Sequence, residues 1–178
     1  MTATRGLAVG VLAIVLAACT PAPPETPPTS ALVRAGEDGS IPANGSISLH
    51  ADHAAIRGLD PALLEALRNA DVEARQAGVE LKVTSGWRSR QYQQRLLDEA
   101  VVTYGSLDEA RRFVNTPEKS THVSGKAVDI GPTAADDWLI QHGADHGLCQ
   151  AYANEMWHFE LLASPGGTCP MPLVDAAG

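Results

Sequence analysis

Aromatic side chains are the scarcest large class in this chain: Trp, Tyr and Phe together make up only 4% of 178 residues. Every one of them lies between Trp87 and Phe159. A packed core, and chemistry that depends on one, is expected in that span. Basic charge is also short, with 13 Lys and Arg against 21 Asp and Glu and a formal charge of −8. Phosphate neutralisation needs clustered Lys and Arg, so the balance argues against a nucleic-acid partner. The apolar run from Gly6 to Ala18 is shorter than the roughly 20 residues of a membrane-spanning helix. Cysteine is limited to Cys19, Cys149 and Cys169. The remaining composition, 44% hydrophobic and 19% charged, is that of a globular chain rather than a disordered one. The length suits a single domain.

The N-terminal residues look like an address. Arg5 is the only charge before the run of Gly, Ala, Val, Leu and Ile, and small residues close it, as in a secretory signal. Leu16-Ala17-Ala18-Cys19 resembles the bacterial lipobox. The resemblance implies a lipoprotein signal peptide over residues 1–18, cleavage before Cys19 and a diacylglycerol on its sulfur. Pro21, Pro23, Pro24, Pro27 and Pro28 follow, a density that prevents helix and sheet pairing and favours an extended chain. At about 3.1 Å per residue this gives roughly 30 Å of stand-off from a membrane. Residues 31–55 show no sustained period and read as linker, so residues 19–55 are expected to be the lipidated, proline-rich connection and residues 56–178 the domain.

Within the domain, Asp60-Pro61 is an N-cap with proline at the first helical position. Leu63, Leu64, Leu67, Ala70, Val72 and Ala74 form an apolar stripe that ends at Gly78. Val79, Leu81 and Val83 alternate with polar residues, as in a half-buried strand. A helix is expected from Ser89 to about Tyr104, and Ser106 to Glu109 has capping-box spacing. Residues 126–130 read as a strand, Thr133 to about His146 as a helix, and Trp157 to Leu162 as an alternating strand. Helices come first and strands cluster late, which predicts an α+β fold with a small, largely antiparallel sheet flanked by helices.

The chemistry-bearing residues concentrate in two stretches. In the first, His122 and Asp129 flank Gly125, whose freedom permits a sharp reversal. The second, Glu155-Met156-Trp157-His158-Phe159-Glu160, adds another histidine. Two histidines and one aspartate are three zinc-type ligands that leave a fourth position open, as in catalytic sites. Glu155 lies three residues before His158, an odd offset that would put it on the opposite face of a flat strand, so a turn is expected near residues 154–156. Glu160 shares the face of His158 and is a rival proton acceptor. His142 and His146 have a spacing that can hold a metal, but without a third partner a solvated helix face explains them.

These residues resemble the VanY-type D-alanyl-D-alanine carboxypeptidases. Ser120, His122, Gly125, Ala127 and Asp129 match their Ser-x-His-x-x-Gly-x-Ala-x-Asp signature, and Glu155, Trp157 and His158 match Glu-x-x-Trp-His. Ser85-Gly86-Trp87-Arg88-Ser89 followed by Gln93 is a third match, with Trp87 standing where the family usually has tyrosine. The resemblance implies the α+β fold shared with the hedgehog signalling domain and Zn2+ on His122, Asp129 and His158. It also implies Glu155 as the group that takes the proton of the attacking water, and Arg88 as the stabiliser of the developing oxyanion. Ser120, Gln93 and Trp87 are the candidate substrate-binding residues. The implied substrate is a peptidoglycan stem peptide that loses its terminal D-alanine. Endopeptidase action, or a zinc-containing binding module without catalysis, are the alternatives. A monomer is expected.

With Cys19 given to lipid, Cys149 and Cys169 form an even pair in an oxidising compartment and are expected to bridge. The chain is thus read as extracytoplasmic and anchored by lipid to a bacterial membrane, facing the cell envelope. Changing Cys19→Ala should move the protein from the membrane to the soluble fraction while leaving the domain's activity intact. Fractionation with intact-mass measurement checks this, and continued membrane association of the variant refutes the lipobox reading.

Overall fold

The computed structural model describes Thr2 and residues 36–178. The expected signal, Cys19 and the proline-rich segment lie outside the described residues. Among the described residues, no helix is long and apolar enough to cross a membrane.

The expected α+β fold is observed. Five strands, β1 (Ile47–Ser48), β2 (Lys82–Ser85), β3 (Ala127–Gly131), β4 (Leu148–Gln150) and β5 (His158–Leu161), form one sheet in the order β1-β2-β3-β5-β4. Every neighbouring pair is antiparallel. The helices are α1 (Ala54–Arg57), α2 (Pro61–Gln76), α3 (Arg90–Tyr104), α4 (Leu107–Ala110) and α5 (Thr133–His142).

Local chemistry sets the helix boundaries. The Asp60 carboxylate accepts from Ala62 N at 2.9 Å, capping α2, and Pro61 occupies the first turn, where no donor is needed. Leu63, Leu67, Ala70 and Ala74 form the buried face of α2, and Val72 of the expected stripe is exposed. Asp71 is buried instead, accepting from Leu81 N at 3.1 Å and Arg75 Nε at 2.7 Å, so a polar helix position ties α2 to the approach of β2. Ser89 Oγ caps α3 by accepting from Tyr92 N, and Ser106 Oγ caps α4 by accepting from Glu109 N. The expected helix over residues 133–146 tightens into a 3-10 turn at Gly143–His146.

The main core lies on one sheet face: Val83, Val128, Ile130, Phe159 and Leu148 meet Leu63 and Leu67 of α2 and Leu139 of α5. Leu97, Ala100 and Ala110 of α3 and α4 form a separate small cluster. Strand alternation turns Ala127 and Asp129, together with His158 and Glu160, away from the main core. The register places Asp129 opposite both His158 and Ser85, so these three residues form one row across β2, β3 and β5.

The domain begins earlier than residue 56, which corrects the linker boundary. Leu49 is buried in the core, β1 pairs with β2, and Ser89 N donates to Asp38 O at 2.9 Å. Gly39 packs so closely that a Cβ there would stand 2.0 Å from Trp87 O. Beside these backbone contacts only the scattered Ile41, Ile47 and Leu49 pack on the core, so no sustained hydrophobic period announces the segment.

Leu67 is wholly buried at the centre of the α2 contact. Leu67→Ala should cost about 3 kcal/mol through lost transfer energy and the cavity left behind, measurable by denaturant unfolding of the domain.

Candidate metal centre

Three buried donors converge where β3 and β5 pair: His122 Nε2, Asp129 Oδ1 and His158 Nδ1. His122 Nε2 and His158 Nδ1 stand 3.3 Å and 3.2 Å from Asp129 Oδ1, and the two imidazole nitrogens are 3.3 Å apart. For metal–ligand distances of about 2.0–2.1 Å, tetrahedral donors lie about 3.3–3.4 Å apart. The spacing fits a single small cation.

The orientation of each imidazole is fixed by its other nitrogen. His122 Nδ1 is 2.8 Å from Gly86 O, to which it donates, leaving Nε2 as the inward lone pair. His158 Nε2 is 3.0 Å from Glu160 Oε1, to which it donates, leaving Nδ1 inward. Thr121 Oγ1 donates to the same Glu160 oxygen at 2.9 Å. Glu160 is therefore the carboxylate behind a ligand, an arrangement that fixes the ring and raises its basicity. Its place opposite Ala127, the smallest side chain in that row, gives it room.

Asp129 Oδ1 has no hydrogen-bond partner among the described residues, although it is buried. Its other oxygen accepts from Arg88 Nη2 at 2.9 Å. Burial alone would raise the pKa of Asp129, but His122, His158 and Arg88 hold the carboxyl well below the usual carboxylate range. Burial likewise opposes charge on His158, yet the carboxylates of Asp129, Glu160 and Glu155 around it outweigh burial and push this imidazole up to about 9. His122 goes the other way, lowered by burial and by Arg88. The point between His158 Nδ1 and Asp129 Oδ1 is thus one that draws positive charge.

Glu155 stands beside these donors without joining them. The expected turn is present: Glu155 N donates to Tyr152 O at 3.3 Å and His158 N to Glu155 O at 3.2 Å. This brings Glu155 Oε2 to 3.6 Å from His158 Nδ1, while Oε1 is buried with no hydrogen-bond partner among the described residues. Burial pushes its carboxyl up to about 7, with Asp129 adding to the rise and His158 and Arg88 opposing it.

The donors open into a cleft of about 370 Å³ lined by Arg88, Ser120, Tyr152 and Trp157 and, from the α3–α4 side, by Leu96 and Val114. Tyr104 and Phe113 also line it and stack with ring centroids 4.6 Å apart. Arg88 is held at three nitrogens: Nε donates to Ser85 Oγ at 2.7 Å, Nη1 to Gln93 Oε1 at 3.2 Å and Nη2 to Asp129. A guanidinium has five N–H donors, so two remain for a substrate oxygen.

Of the expected substrate-binding residues, Ser120 lines the cleft. Gln93 also reaches it, but both ends of its amide are engaged within the protein, by Arg88 and by Asn115 O at 2.8 Å. Trp87 is a correction: its ring packs on Gly58, where a Cβ would stand 2.3 Å from Trp87 Cγ, and it is not among the cleft residues. Its indole packs against the end of α1. Cys149 and Cys169 are bridged as expected. His142 lies tilted against Trp138 with ring centroids 4.8 Å apart and His146 Nε2 lies 3.4 Å from Glu73, so the two do not form a metal pair. Sequence reasoning gave Tyr152 and Thr121 no role. Tyr152 tilts over the His158 ring at 4.8 Å, and neither residue carried a signal beyond proximity to the motifs.

Fold and site together define a protein with a sheet-borne His2Asp metal centre, open on one side to a cleft that holds a further carboxylate. The family model of VanY, D-alanyl-D-alanine carboxypeptidase, matches residues 57–165, more than half of the chain, and the chain belongs to this family. It is 28% identical over 120 residues to a D-alanyl-D-alanine carboxypeptidase of Enterococcus faecalis, covering 53% of this chain and 45% of that relative. The chain thus spans less than half the length of that curated relative. Its structure resembles a D,D-pentapeptidase VanY mutant from a VanB-type vancomycin-resistance cassette in complex with Zn(II), with TM-score 0.54, 27% identity, and coverage of 57% of this chain and 71% of the other. VanYB in complex with D-alanine-D-alanine has the same TM-score of 0.54 and identity of 27%, over 57% of this chain and 70% of that one. The LdcB LD-carboxypeptidase shares the fold, with TM-score 0.51 and 23% identity over 57% of this chain and 58% of that one.

Loss of the carboxylate behind a ligating histidine typically weakens metal affinity by about 10–100-fold. Glu160→Gln should therefore lower zinc affinity in that range without abolishing it, as read by competition with a chromophoric chelator.

Proposed function

We infer that this chain is a zinc-dependent peptidase of the cell envelope that removes the terminal D-alanine from peptidoglycan stem peptides. The observation that carries the reading is the convergence of His122 Nε2, Asp129 Oδ1 and His158 Nδ1 beside the partnerless Glu155 Oε1, all at one cleft. The zinc and D-alanine-D-alanine bound by the two VanY relatives support it. Two imidazoles and one carboxylate with an open position suit zinc better than magnesium or calcium, which prefer oxygen shells.

Zinc bound there supplies a Lewis acid and makes hydroxide available near neutral pH. The chain's own residues do the rest. Glu155 accepts the proton of the attacking water at its free oxygen and returns it to the leaving amine. The two uncommitted N–H groups of Arg88 stabilise the negative charge that grows on the carbonyl oxygen, and the bonds to Ser85, Gln93 and Asp129 mean no reorganisation is needed as it forms. Ser120 donates to the terminal carboxylate of the peptide. Leu96, Val114 and the Tyr104–Phe113 stack offer an apolar wall suited to methyl side chains.

The leader and Cys19 support a lipid-anchored, extracytoplasmic location, and the Cys149–Cys169 bridge fits an oxidising compartment.

Glu155→Gln should leave zinc at about one per chain while turnover falls about 10²–10⁴-fold. Metal analysis and mass spectrometry of pentapeptide-bearing muropeptides read the two quantities. Loss of one alanine from the intact protein's substrate supports the reading, whereas cleavage inside a cross-linked dimer makes the protein an endopeptidase. Loss of zinc in the variant makes Glu155 a ligand and overturns its role as proton acceptor.

A further inference from the structure

The stretch after residue 165 lies beyond the family match, yet it is built into the site. Cys169 ties it to Cys149 of β4. Leu173 then bridges Tyr152 in parallel, its N–H donating to Ala151 O at 2.9 Å and its carbonyl accepting from Ala153 N at 2.8 Å. These contacts fasten the segment to the sheet side of the cleft, next to the turn that carries Glu155. Its last residues fasten to the opposite side. Asp175 Oδ2 accepts from Arg112 Nε at 2.9 Å, and Ala176 O accepts from Asn115 Nδ2 at 2.7 Å. Ala176 itself lines the cleft. The α3–α4 side packs through a small cluster of its own, separate from the main core, so a strap joining it to the sheet has a mechanical purpose.

From the strap, hydrogen bonds run inward to the metal site. Gln93 Nε2 donates to Asn115 O at 2.8 Å, Arg88 Nη1 donates to Gln93 Oε1 at 3.2 Å, and Arg88 Nη2 donates to Asp129 Oδ2 at 2.9 Å. The direction of the chain is determined. Gln93 is almost wholly buried, and turning its amide over would aim an N–H at Arg88 and an oxygen at a carbonyl. A long arginine side chain has considerable rotamer entropy to lose, so its aim depends on partners that are themselves held.

We propose that the C-terminal segment Asp175–Gly178 is a positioning element of the active site: by clamping Asn115 it fixes Gln93 and Arg88, and through Arg88 the aim of the Asp129 carboxylate at the metal. This rests on the zinc-peptidase reading above. Asn115 and Gln93 are positioning residues, since neither needs to touch substrate to act.

The test uses the full chain, the chain ending at Val174, the variant Asn115→Asp, and the two changes combined. Ending at Val174 keeps the disulfide and the Leu173 bridge. Asn115→Asp keeps the oxygen that accepts from Thr116 N at 3.0 Å but loses the donor to Ala176 O. Zinc affinity by chelator competition, and kcat and KM on a D-alanyl-D-alanine-ended peptide, are read beside a thermal melt. Each single change should weaken zinc affinity and lower kcat about tenfold, the size of a typical outer-sphere effect on a metal site, with KM little changed. The combined change should add nothing beyond the shortened chain, because ending at Val174 already removes the acceptor of the Asn115 bond. Zinc affinity and kcat equal to those of the full chain overturn the proposal, as does a loss accompanied by collapse of the cooperative melt. A full chain that binds zinc but cleaves no such peptide overturns the proposed function instead, and the affinity comparison still decides the role of the segment. A full chain that binds no zinc overturns both.

Discussion

The two oxygens of Asp129 face different partners, and the geometry around them follows from that division. Oδ2 accepts from Arg88, while Oδ1 stands 3.2–3.3 Å from the inward nitrogens of His158 and His122. A guanidinium gripping both oxygens would have closed the carboxylate to a cation; gripping one leaves the other directed inward and unpartnered. The β3–β5 register makes this possible by setting Asp129 directly opposite His158, and the β2–β3 register sets Ser85, the partner of Arg88 Nε, on its other side. A slip of one residue in either pairing would turn one member of the row toward the main core.

Much of the centre was legible because ligand spacing and strand alternation are local properties. Gly125 marked a reversal, the odd offset between Glu155 and His158 required a turn, and both are found, with Gly125 at φ +72°. The capping serines and Asp60 were equally local. What escaped notice depends on tertiary contact. Residues 36–55 attach through backbone groups, a two-residue strand and a few scattered apolar side chains such as Leu49, which leave no sustained period to detect. Trp87 lies within a motif yet packs on Gly58, because a neighbouring glycine far in sequence offers the flat surface.

Glu160 shows how nearly a pattern can be read and still mislead. Alternation placed it on the face of His158, which made it a rival to Glu155. The hydrogen bonds separate the two: His158 Nε2 donates to Glu160, which Thr121 Oγ1 also holds, so Nδ1 points inward beside Glu155. Two carboxylates close to one histidine thus fall into different tasks: one holds the ring from behind, and the other stands free at the cleft.

The Cys149–Cys169 bridge encloses β5 and the whole turn that carries Glu155. A break in the backbone anywhere inside that ring would leave both ends of the cut joined to the rest of the molecule through sulfur. His158 and Glu160 would still be held by β3 and β4 on either side. The segment with the highest density of working groups is therefore the one whose scission least separates the molecule into pieces.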